Sequence, residues 1–393
     1  MPKGKGSEGS MRIGVHFNFQ NYADWERFAA HQPGPSAVSD QQLYEEDLAL
    51  ASLVEPLGFD SYWAIDHHFS PYIMTGGAIQ HLTYVAGQTR RIDVVTMVIV
   101  LPWYDPVQIA EQVSVLDNLL QGRRLTLGLG RGAAKREFDG YRIPMDESRE
   151  RFAEALDVLR TALTQEWFSY DGSFYKIPET TIRPRPRNPQ ALVDGMRVAW
   201  TSPQTLPIAA RAGVGMLMTN QKSWEAYQED VRGFNATRAE RGWSPIQPSV
   251  VVQVACFDTE QEAWDVIRRH TIEAQLSIRR HYGWEEAERF RQTKGYEQYA
   301  QFGEILQRKT PEEIGEYNAR PQAWGTPEQV LEKLVHVQRM TSAEELILNF
   351  RYGAMPAQTA ERSMRLFAAE VQPRLHALDA PLHTDMVGTT AAG

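Results

Sequence analysis

Short apolar segments alternate with longer amphipathic segments along most of this 393-residue chain, and this alternation constrains the fold more than any other feature. Amphipathic segments with helical periodicity, such as residues 106–120, separate the apolar ones. Strands joined through helices run parallel, because a parallel pair needs a long crossover connection. Eight segments have the length and apolar content of buried strands: residues 12–19, 59–65, 92–98, 124–129, 196–200, 214–218, 249–257 and 345–350.

Eight parallel strands suit a sheet that closes on itself, so we predict an α/β fold, a (β/α)8 TIM barrel. The alternative is an open, doubly wound sheet, but no GxGxxG sequence follows an early strand. Residues 260–322 are charged, aromatic and helical in pattern, and we expect them to form an insertion. The predicted organisation is one barrel domain over residues 11–376, with disordered tails at residues 1–10 and 377–393.

Composition excludes several classes of function. The formal net charge is −9 and no long basic run is present, which argues against a nucleic-acid partner. No apolar stretch is long enough to cross a bilayer, and residues 1–10 lack the apolar core of a signal peptide. The single cysteine, Cys256, precludes an internal disulfide and a cysteine metal cluster. We therefore expect a cytoplasmic protein without a membrane partner.

A histidine pair follows the second predicted strand, in the sequence Ile65-Asp66-His67-His68-Phe69-Ser70. Side chains alternate along a strand, so one histidine is expected to face a pocket while the other packs behind it. Active sites of barrels lie at the carboxyl ends of the strands, where this pair falls. Histidine titrates near neutral pH and suits proton transfer.

Two further strand ends carry residues suited to an anion. Gly130-Arg131-Gly132 ends the fourth strand, where glycine permits close approach and arginine binds phosphate in a forked geometry. Ser202-Pro203-Gln204-Thr205 opens a helix after the fifth strand, and a helix N-terminus attracts anions. Because these strands are neighbours in a barrel, we predict that the two segments hold one phosphate from two sides.

The end of the third strand is apolar, and residues 96–102 can form a seat for a flat ring, with Met97 and Val98 at its centre. Several aromatic residues at the predicted rim can line an apolar pocket. The candidates are Phe17, Phe19, Trp103 and Trp200.

A metal-dependent barrel hydrolase is an alternative from a different class. The histidine pair could bind a metal together with Asp66, His16 and His81, although no HExxH-like pattern is present. A serine hydrolase has less support, because no GxSxG sequence occurs.

Taken in order, these motifs resemble the bacterial luciferase-like flavin-dependent monooxygenase family, from Arg12 to about Pro373. The matching segments are Asp66-His67-His68-Phe69, Val100-Leu101-Pro102, Asp105-Pro106-Val107 with Ala110-Glu111, Leu116-Asp117, Gly122-Arg123, Gly130-Arg131-Gly132, Ser202 with Thr205, and residues 348–356.

The resemblance implies a barrel that binds FMN noncovalently or, in one branch, the deazaflavin F420. The Asp-His-His-Phe motif is similar to that of the FMN branch. By the same resemblance His67 is the catalytic histidine, and Met97-Val98 seats the flavin ring, often with a nonprolyl cis peptide. Arg131, Ser202 and Thr205 are implied to contact the FMN phosphate.

The implied reaction uses O2 and reduced FMN from a separate NAD(P)H:flavin reductase. One oxygen atom is inserted into a small apolar organic substrate through a C4a-(hydro)peroxyflavin. The family usually forms homodimers or homotetramers. Luciferase itself has a cysteine where Gly130 stands, which argues against light emission. F420-dependent hydride transfer on the same barrel and a non-catalytic flavin-binding protein are the alternatives within the family.

Overall fold

The computed structural model describes residues 9–199, 209–210, 212–219, 222–284 and 286–387. Its strands are β1 (Arg12–His16), β2 (Ser61–Ala64), β3 (Asp93–Val100), β4 (Leu125–Gly130), β5 (Phe168–Asp171), β6 (Lys176–Thr180), β7 (Arg197–Ala199), β8 (Gly215–Met218), β9 (Ser249–Cys256), β10 (Ala323–Gly325) and β11 (Glu345–Asn349).

The helices within the same ranges are α1 (Trp25–Ala29), α2 (Asp40–Ser52), α3 (Ala78–Gln88), α4 (Pro106–Leu119), α5 (Lys135–Tyr141), α6 (Ser148–Thr164), α7 (Pro189–Asp194), α8 (Trp224–Ala239), α9 (Glu260–Tyr282), α10 (Ala287–Gln292), α11 (Gln298–Gln307), α12 (Pro311–Ala319), α13 (Pro327–Thr341), α14 (Ala357–Glu370) and α15 (Gln372–His376).

Eight parallel strands close into a barrel, which confirms the predicted (β/α)8 fold. Their order is β1-β2-β3-β4-β7-β8-β9-β11, and β11 pairs with β1 to complete the circle. At the closure Val15 lies opposite Leu348 on one side and Tyr62 on the other. The short strand β10 adds to β9 outside the circle.

Side chains of alternating strand positions form two separate apolar layers. The inner layer fills the barrel and includes Trp63, Met97 and Leu217, whereas the outer layer packs against the helices. Gly14 lies against the Trp63 indole, in space that a side chain on residue 14 would need. The middle of the barrel is therefore a packed core rather than a channel.

Helix α9 brings the insertion back over the carboxyl ends of the strands. It begins after Thr259, whose hydroxyl accepts a hydrogen bond from the Glu262 N–H at 3.3 Å. It ends at Gly283, which has a φ of 65° and so adopts the left-handed conformation that glycine favours. This stop places the last helical residues, His281 and Tyr282, at the barrel mouth.

Three parts of the chain differ from the predictions. Residues 167–189, expected to be an extended connection, contain the antiparallel hairpin β5–β6. The disordered tail expected at residues 377–393 is wrong for residues 377–387, where Met386 is fully buried. Ser10 likewise pairs with Asp379 in an antiparallel bridge, within the segment 1–10 that was expected to be disordered. Within the described ranges, no helix has the length and apolarity needed to cross a membrane.

Candidate active site

A cavity of about 910 Å³, including its open mouth, lies at the carboxyl ends of the barrel strands. Three parts of the chain form its walls. The barrel strands and their ends contribute Ile65, Asp66, His67, Met97, Val98, Val100, Ala199 and Thr219; two loops contribute Trp103 and residues 130–133; and the insertion contributes Tyr282, Trp284 and Tyr299.

Most of the predicted site residues meet in this cavity. His67, Met97, Val98, Trp103, Gly130 and Arg131 all line it. The peptide bond between Met97 and Val98 is cis, as the family resemblance implies. The predicted residues Trp200, Ser202 and Thr205 lie outside the described part of the chain.

The prediction that Phe17 and Phe19 line the pocket is wrong. Both are buried in the outer apolar layer, on the side of the barrel wall that faces the helices. Phe17 continues the alternation of Ile13 and Val15, which also belong to that layer. The Phe19 ring packs edge-on against His81 of α3, with centroids 4.7 Å apart. The prediction placed these residues on the wrong face of the barrel wall.

His67 is held by a buried carboxylate. Its Nδ1 lies 2.9 Å from Oε1 of Glu137, which also accepts the His68 backbone N–H at 2.7 Å. Burial alone would raise the pKa of Glu137, but His67 and His281 lower it to about 2. An ionised carboxylate only accepts hydrogen bonds, so Nδ1 of His67 carries a proton. In neutral His67 the lone pair is on Nε2, which lies 3.3 Å from the Tyr282 hydroxyl.

His281 shares the same carboxylate. Its Nε2 lies 3.3 Å from Oε1 of Glu137, and its Nδ1 lies 2.7 Å from the Ser70 hydroxyl. Complete burial lowers the pKa of His281 to about 4, so the ring is neutral at physiological pH. Glu137 therefore links two histidines from different parts of the chain.

Of the ligands predicted for the metal alternative, only His67 belongs to a cluster of candidate ligand atoms among the described residues. Asp66 is hydrogen-bonded to His68, His81 to the Tyr62 hydroxyl, and His16 is buried inside the barrel. Among the described residues, one other group has ligand atoms close enough to share an ion. This group comprises His67, Glu137 and His281, whose candidate atoms lie within 4.8 Å of one another.

His68 faces away from the Glu137 carboxylate, as side-chain alternation predicts. Its Nε2 lies 2.7 Å from Oδ1 of Asp66 and 3.0 Å from the Tyr104 hydroxyl. The other oxygen of Asp66 accepts the Val100 backbone N–H at 3.2 Å. This network ties the end of β2 to the end of β3, and so fixes the backbone that carries His67.

At the Arg131 end of the cavity, the insertion contacts the loop after β4. Arg131 donates from Nη2 to the Gly295 carbonyl at 3.0 Å, and its guanidinium lies 4.0 Å from the Tyr296 ring centroid. The Tyr296 hydroxyl donates to the Gly132 carbonyl at 2.7 Å. Tyr296 is fully buried, and this contact joins the insertion to the glycine loop.

Two arginines leave buried N–H groups without partners at this end. Among the described residues, neither Nη1 of Arg131 nor Nη2 of Arg149 has a hydrogen-bond partner. Both atoms approach Gly295, at 3.0 and 3.2 Å from the position that a Cβ there would occupy. Buried polar groups are rarely left unpaired, so this pair indicates an anion site.

Sequence reasoning missed Glu137, Arg149 and His281. Glu137 and Arg149 follow the glycine loop in segments without a recognisable motif, and His281 belongs to the insertion. The available signal for Arg149 was its place in the first turn of α6, where N–H groups and an arginine side chain can share an anion.

Comparison with known proteins places the chain in a family with two chemistries. Uncharacterized protein y4vJ of Sinorhizobium fredii is 29% identical over 218 residues, and the match spans 56% of this chain and 61% of that protein. Alkanal monooxygenase alpha chain of Photobacterium leiognathi is 24% identical, covering 87% of this chain and 96% of that protein. F420-dependent glucose-6-phosphate dehydrogenase of Kribbella flavida is 32% identical, over 58% of this chain and 69% of that protein.

The fold has solved counterparts. Monooxygenase RslO1 from Streptomyces bottropensis superposes with a TM-score of 0.74 at 24% identity, over 93% of this chain and 99% of that one. Residues 26–344 match the sequence profile described as luciferase-like monooxygenase. The chain therefore belongs to the luciferase-like monooxygenase family, whose oxidoreductases use FMN or F420.

Proposed function

We propose that the protein is an FMN-dependent monooxygenase that inserts one oxygen atom from O2 into an apolar organic substrate. A separate reductase supplies the reduced FMN. The observation that carries this proposal is the pair of unpartnered guanidinium N–H groups on Arg131, which lines the cavity, and on Arg149, which approaches Gly295 beside it.

The charge at this end favours FMN over F420. FMN ends in a phosphate monoester, which carries about −1.5 to −2 charges at neutral pH. F420 has a phosphodiester at the corresponding position, with one negative charge and a chain continuing beyond it. Two arginines without an ion-pair partner among the described residues complement a dianion better than a monoanion.

Each part of the cavity has a role in this proposal. Arg131 and Arg149 bind the phosphate, while Met97 and Val98 support the flavin ring through apolar contacts. Reduced FMN, when bound, supplies the oxygen-transfer chemistry with O2. Tyr282 and Trp284 of the insertion, which line the cavity, exclude water from the reacting atoms. His67, fixed by Glu137, holds or accepts a proton at Nε2.

Equilibrium binding tests the cofactor. Dissociation constants for FMN, riboflavin and F420 are measured by fluorescence titration of the purified protein. We expect FMN to bind at least tenfold more tightly than riboflavin, because one charge-assisted hydrogen bond contributes about 1.5–3 kcal/mol. Arg149→Leu should reduce this preference for FMN, whereas Arg149→Lys should retain part of it. Tighter binding of F420 than of FMN would overturn the proposal.

Hydride transfer with F420 is the second candidate, and the 32% identity to the dehydrogenase of Kribbella flavida favours it. Turnover separates the two. Protein supplied with FMN, NADH, a flavin reductase and O2 should oxygenate an apolar test substrate. Protein supplied with F420 and a secondary alcohol should not reduce the deazaflavin. The reverse pattern would establish the second candidate.

A further inference from the structure

The cavity has an aliphatic floor and an aromatic roof. Met97, Val98 and Val100 form the floor, and this is the side assigned to the flavin ring. On the roof, the Tyr282 and Trp284 rings stack at 19° with centroids 5.1 Å apart. Aromatic faces attract other flat rings beyond the gain from burial alone, by about 0.5–1.5 kcal/mol per pair.

The aromatic residues of the cavity wall, Trp103, Tyr282 and Trp284, belong to or pack against one apolar cluster. Trp103 and Trp284 are almost completely buried, and they belong to the same cluster as Phe138 and Tyr296, which are fully buried. Helix α9 and the loops after β3 and β4 all contribute to this cluster. The aromatic faces that line the cavity are thus held in place by packing, which lowers the entropic cost of receiving a flat ligand.

Polar groups are few outside the phosphate end. Once Arg131 is assigned to the phosphate, the remaining titratable side chains on the cavity wall are His67, Asp66 and two tyrosines. Asp66 is already occupied by His68, Tyr104 and the Val100 N–H. Among these titratable groups, His67 is best placed to contact a substrate, because its Nε2 is an acceptor that faces the Tyr282 hydroxyl.

The phenol side chain of Tyr282 shows which kind of ligand can use Nε2 of His67 as an acceptor. The phenolic hydroxyl of Tyr282 lies 3.3 Å from Nε2 of His67, while the Tyr282 ring stacks on Trp284. One phenol ring thus both stacks on Trp284 and places its hydroxyl group next to Nε2 of His67. A substrate ring with a hydroxyl group could make the same two contacts by replacing or joining Tyr282.

We propose that the substrate is a hydroxylated aromatic compound, a phenol or naphthol, that stacks against the roof and donates its hydroxyl hydrogen bond to Nε2 of His67. This inference rests on the proposed function, because it assigns the floor of the cavity to FMN. The aromatic ring provides the affinity, and the hydroxyl sets the orientation towards His67.

Equilibrium dialysis with saturating oxidised FMN tests the substrate class without turnover. The ligands are 2-naphthol, naphthalene, which lacks the hydroxyl, and 2-decalol, which keeps the hydroxyl on a saturated frame. We expect 2-naphthol to bind at least tenfold more tightly than either control. Equal binding of 2-decalol and 2-naphthol, or displacement of 2-naphthol by FMN, would overturn the inference.

Two variants examine the contact with His67. Tyr282→Phe removes the hydroxyl that faces Nε2 but keeps the ring, so 2-naphthol should bind about threefold to tenfold more tightly and naphthalene equally well. Tyr84→Phe, at an exposed position on α3, is the matched control and should change neither value. His67→Gln should reduce the preference for 2-naphthol over naphthalene to less than threefold. An unchanged preference in that variant would contradict the assigned role.

Separate measurement of FMN binding distinguishes failure of the proposed function from failure of the substrate assignment alone. If FMN fails to bind, the proposed function falls and this inference falls with it. If FMN binds but the protein does not prefer 2-naphthol, the inference alone is overturned.

Discussion

The arginines at the two ends of the barrel have different partners. At the amino ends of the strands, Arg12 lies 2.7 Å from Asp93 and 3.7 Å from Glu345, and Arg124 approaches the same two carboxylates. At the carboxyl ends, Nη1 of Arg131 and Nη2 of Arg149 have no hydrogen-bond partner within the described residues, although both arginines lower the pKa of Glu297.

The difference separates stability from binding. Paired charges at the start of β1, β3 and β11 join strands that would otherwise present buried carboxylates, such as Glu345, without compensation. The N–H groups left unpaired on Arg131 and Arg149 contribute little to the folded state and remain available to a ligand. Variants at the two ends should accordingly change different measured quantities.

The largest effect is expected at His67. His67→Ala should keep FMN binding but lower coupled product formation by about 10²- to 10⁴-fold, because a positioned acid–base group typically contributes this much. Product and released peroxide are quantified together at saturating FMN. His376→Ala, which removes a histidine near the amino ends of the strands, serves as the control. Unchanged coupling in His67→Ala would refute the assignment.

Glu137→Gln sharpens the same prediction. It removes the anion that keeps the proton on Nδ1 of His67, so coupled turnover should fall and its pH profile should change shape. FMN affinity should remain within about twofold of the parent value. A uniform loss at every pH, together with weaker FMN binding, would indicate a purely structural role for Glu137.

A pair of arginine variants tests the comparison directly. Arg131→Leu should weaken FMN binding by roughly 10- to 100-fold and leave riboflavin unaffected, because only FMN carries the phosphate. Arg12→Leu should leave both affinities unchanged and lower the free energy of unfolding by about 2 kcal/mol, since Glu345 loses a partner. Flavin titration measures the two affinities, and urea unfolding measures the free energy of unfolding. Equal weakening of FMN and riboflavin in Arg131→Leu would remove the phosphate assignment.

A smaller effect is expected inside the barrel, between the two ends. Complete burial lowers the pKa of His16 to about 3, and neither ring nitrogen has a partner among the described residues. Below about pH 6.5 the unfolded chain binds a proton that the folded protein excludes, so stability falls as pH decreases. Between pH 7.5 and 5 this loss amounts to about 2 kcal/mol.

His16→Leu should remove that part of the pH dependence. Urea unfolding at pH 7.5 and pH 5 should show a smaller difference in the variant than in the parent protein. An identical difference in both proteins would show that His16 becomes protonated without unfolding.

The sequence predicted the barrel well because its strands are apolar on both faces and short runs of such residues are conspicuous. Strand β3, for example, was expected at residues 92–98 and is found at Asp93–Val100. The hairpin β5–β6 was missed because its residues are largely exposed and interrupted by proline. Residues 377–387 were missed because isolated apolar residues such as Met386 show no periodicity.

Residues that line the cavity were predicted where a strand end supplies them and missed where distant segments meet. His67, Met97 and Arg131 follow from the rule that barrel sites occupy strand carboxyl ends. The partnership of Glu137 with His67 and His281 depends on how α5 and α9 pack, and no local pattern encodes it. Phe17 was wrongly predicted to line the cavity. Side chains alternate between the two faces of β1, and the sequence does not show which alternating set faces the inside of the barrel.

The contact between Tyr296 and Gly132 has a consequence for how such enzymes diverge. In the proposed function, one inserted segment both covers the substrate and completes the anchor of the cofactor, through Gly295, Tyr296 and the arginine they contact. Exchange of the whole insertion between relatives would therefore alter two traits in one step. Grafts that keep residues 295–296 of the recipient while replacing residues 282–284 should change substrate range and preserve flavin affinity.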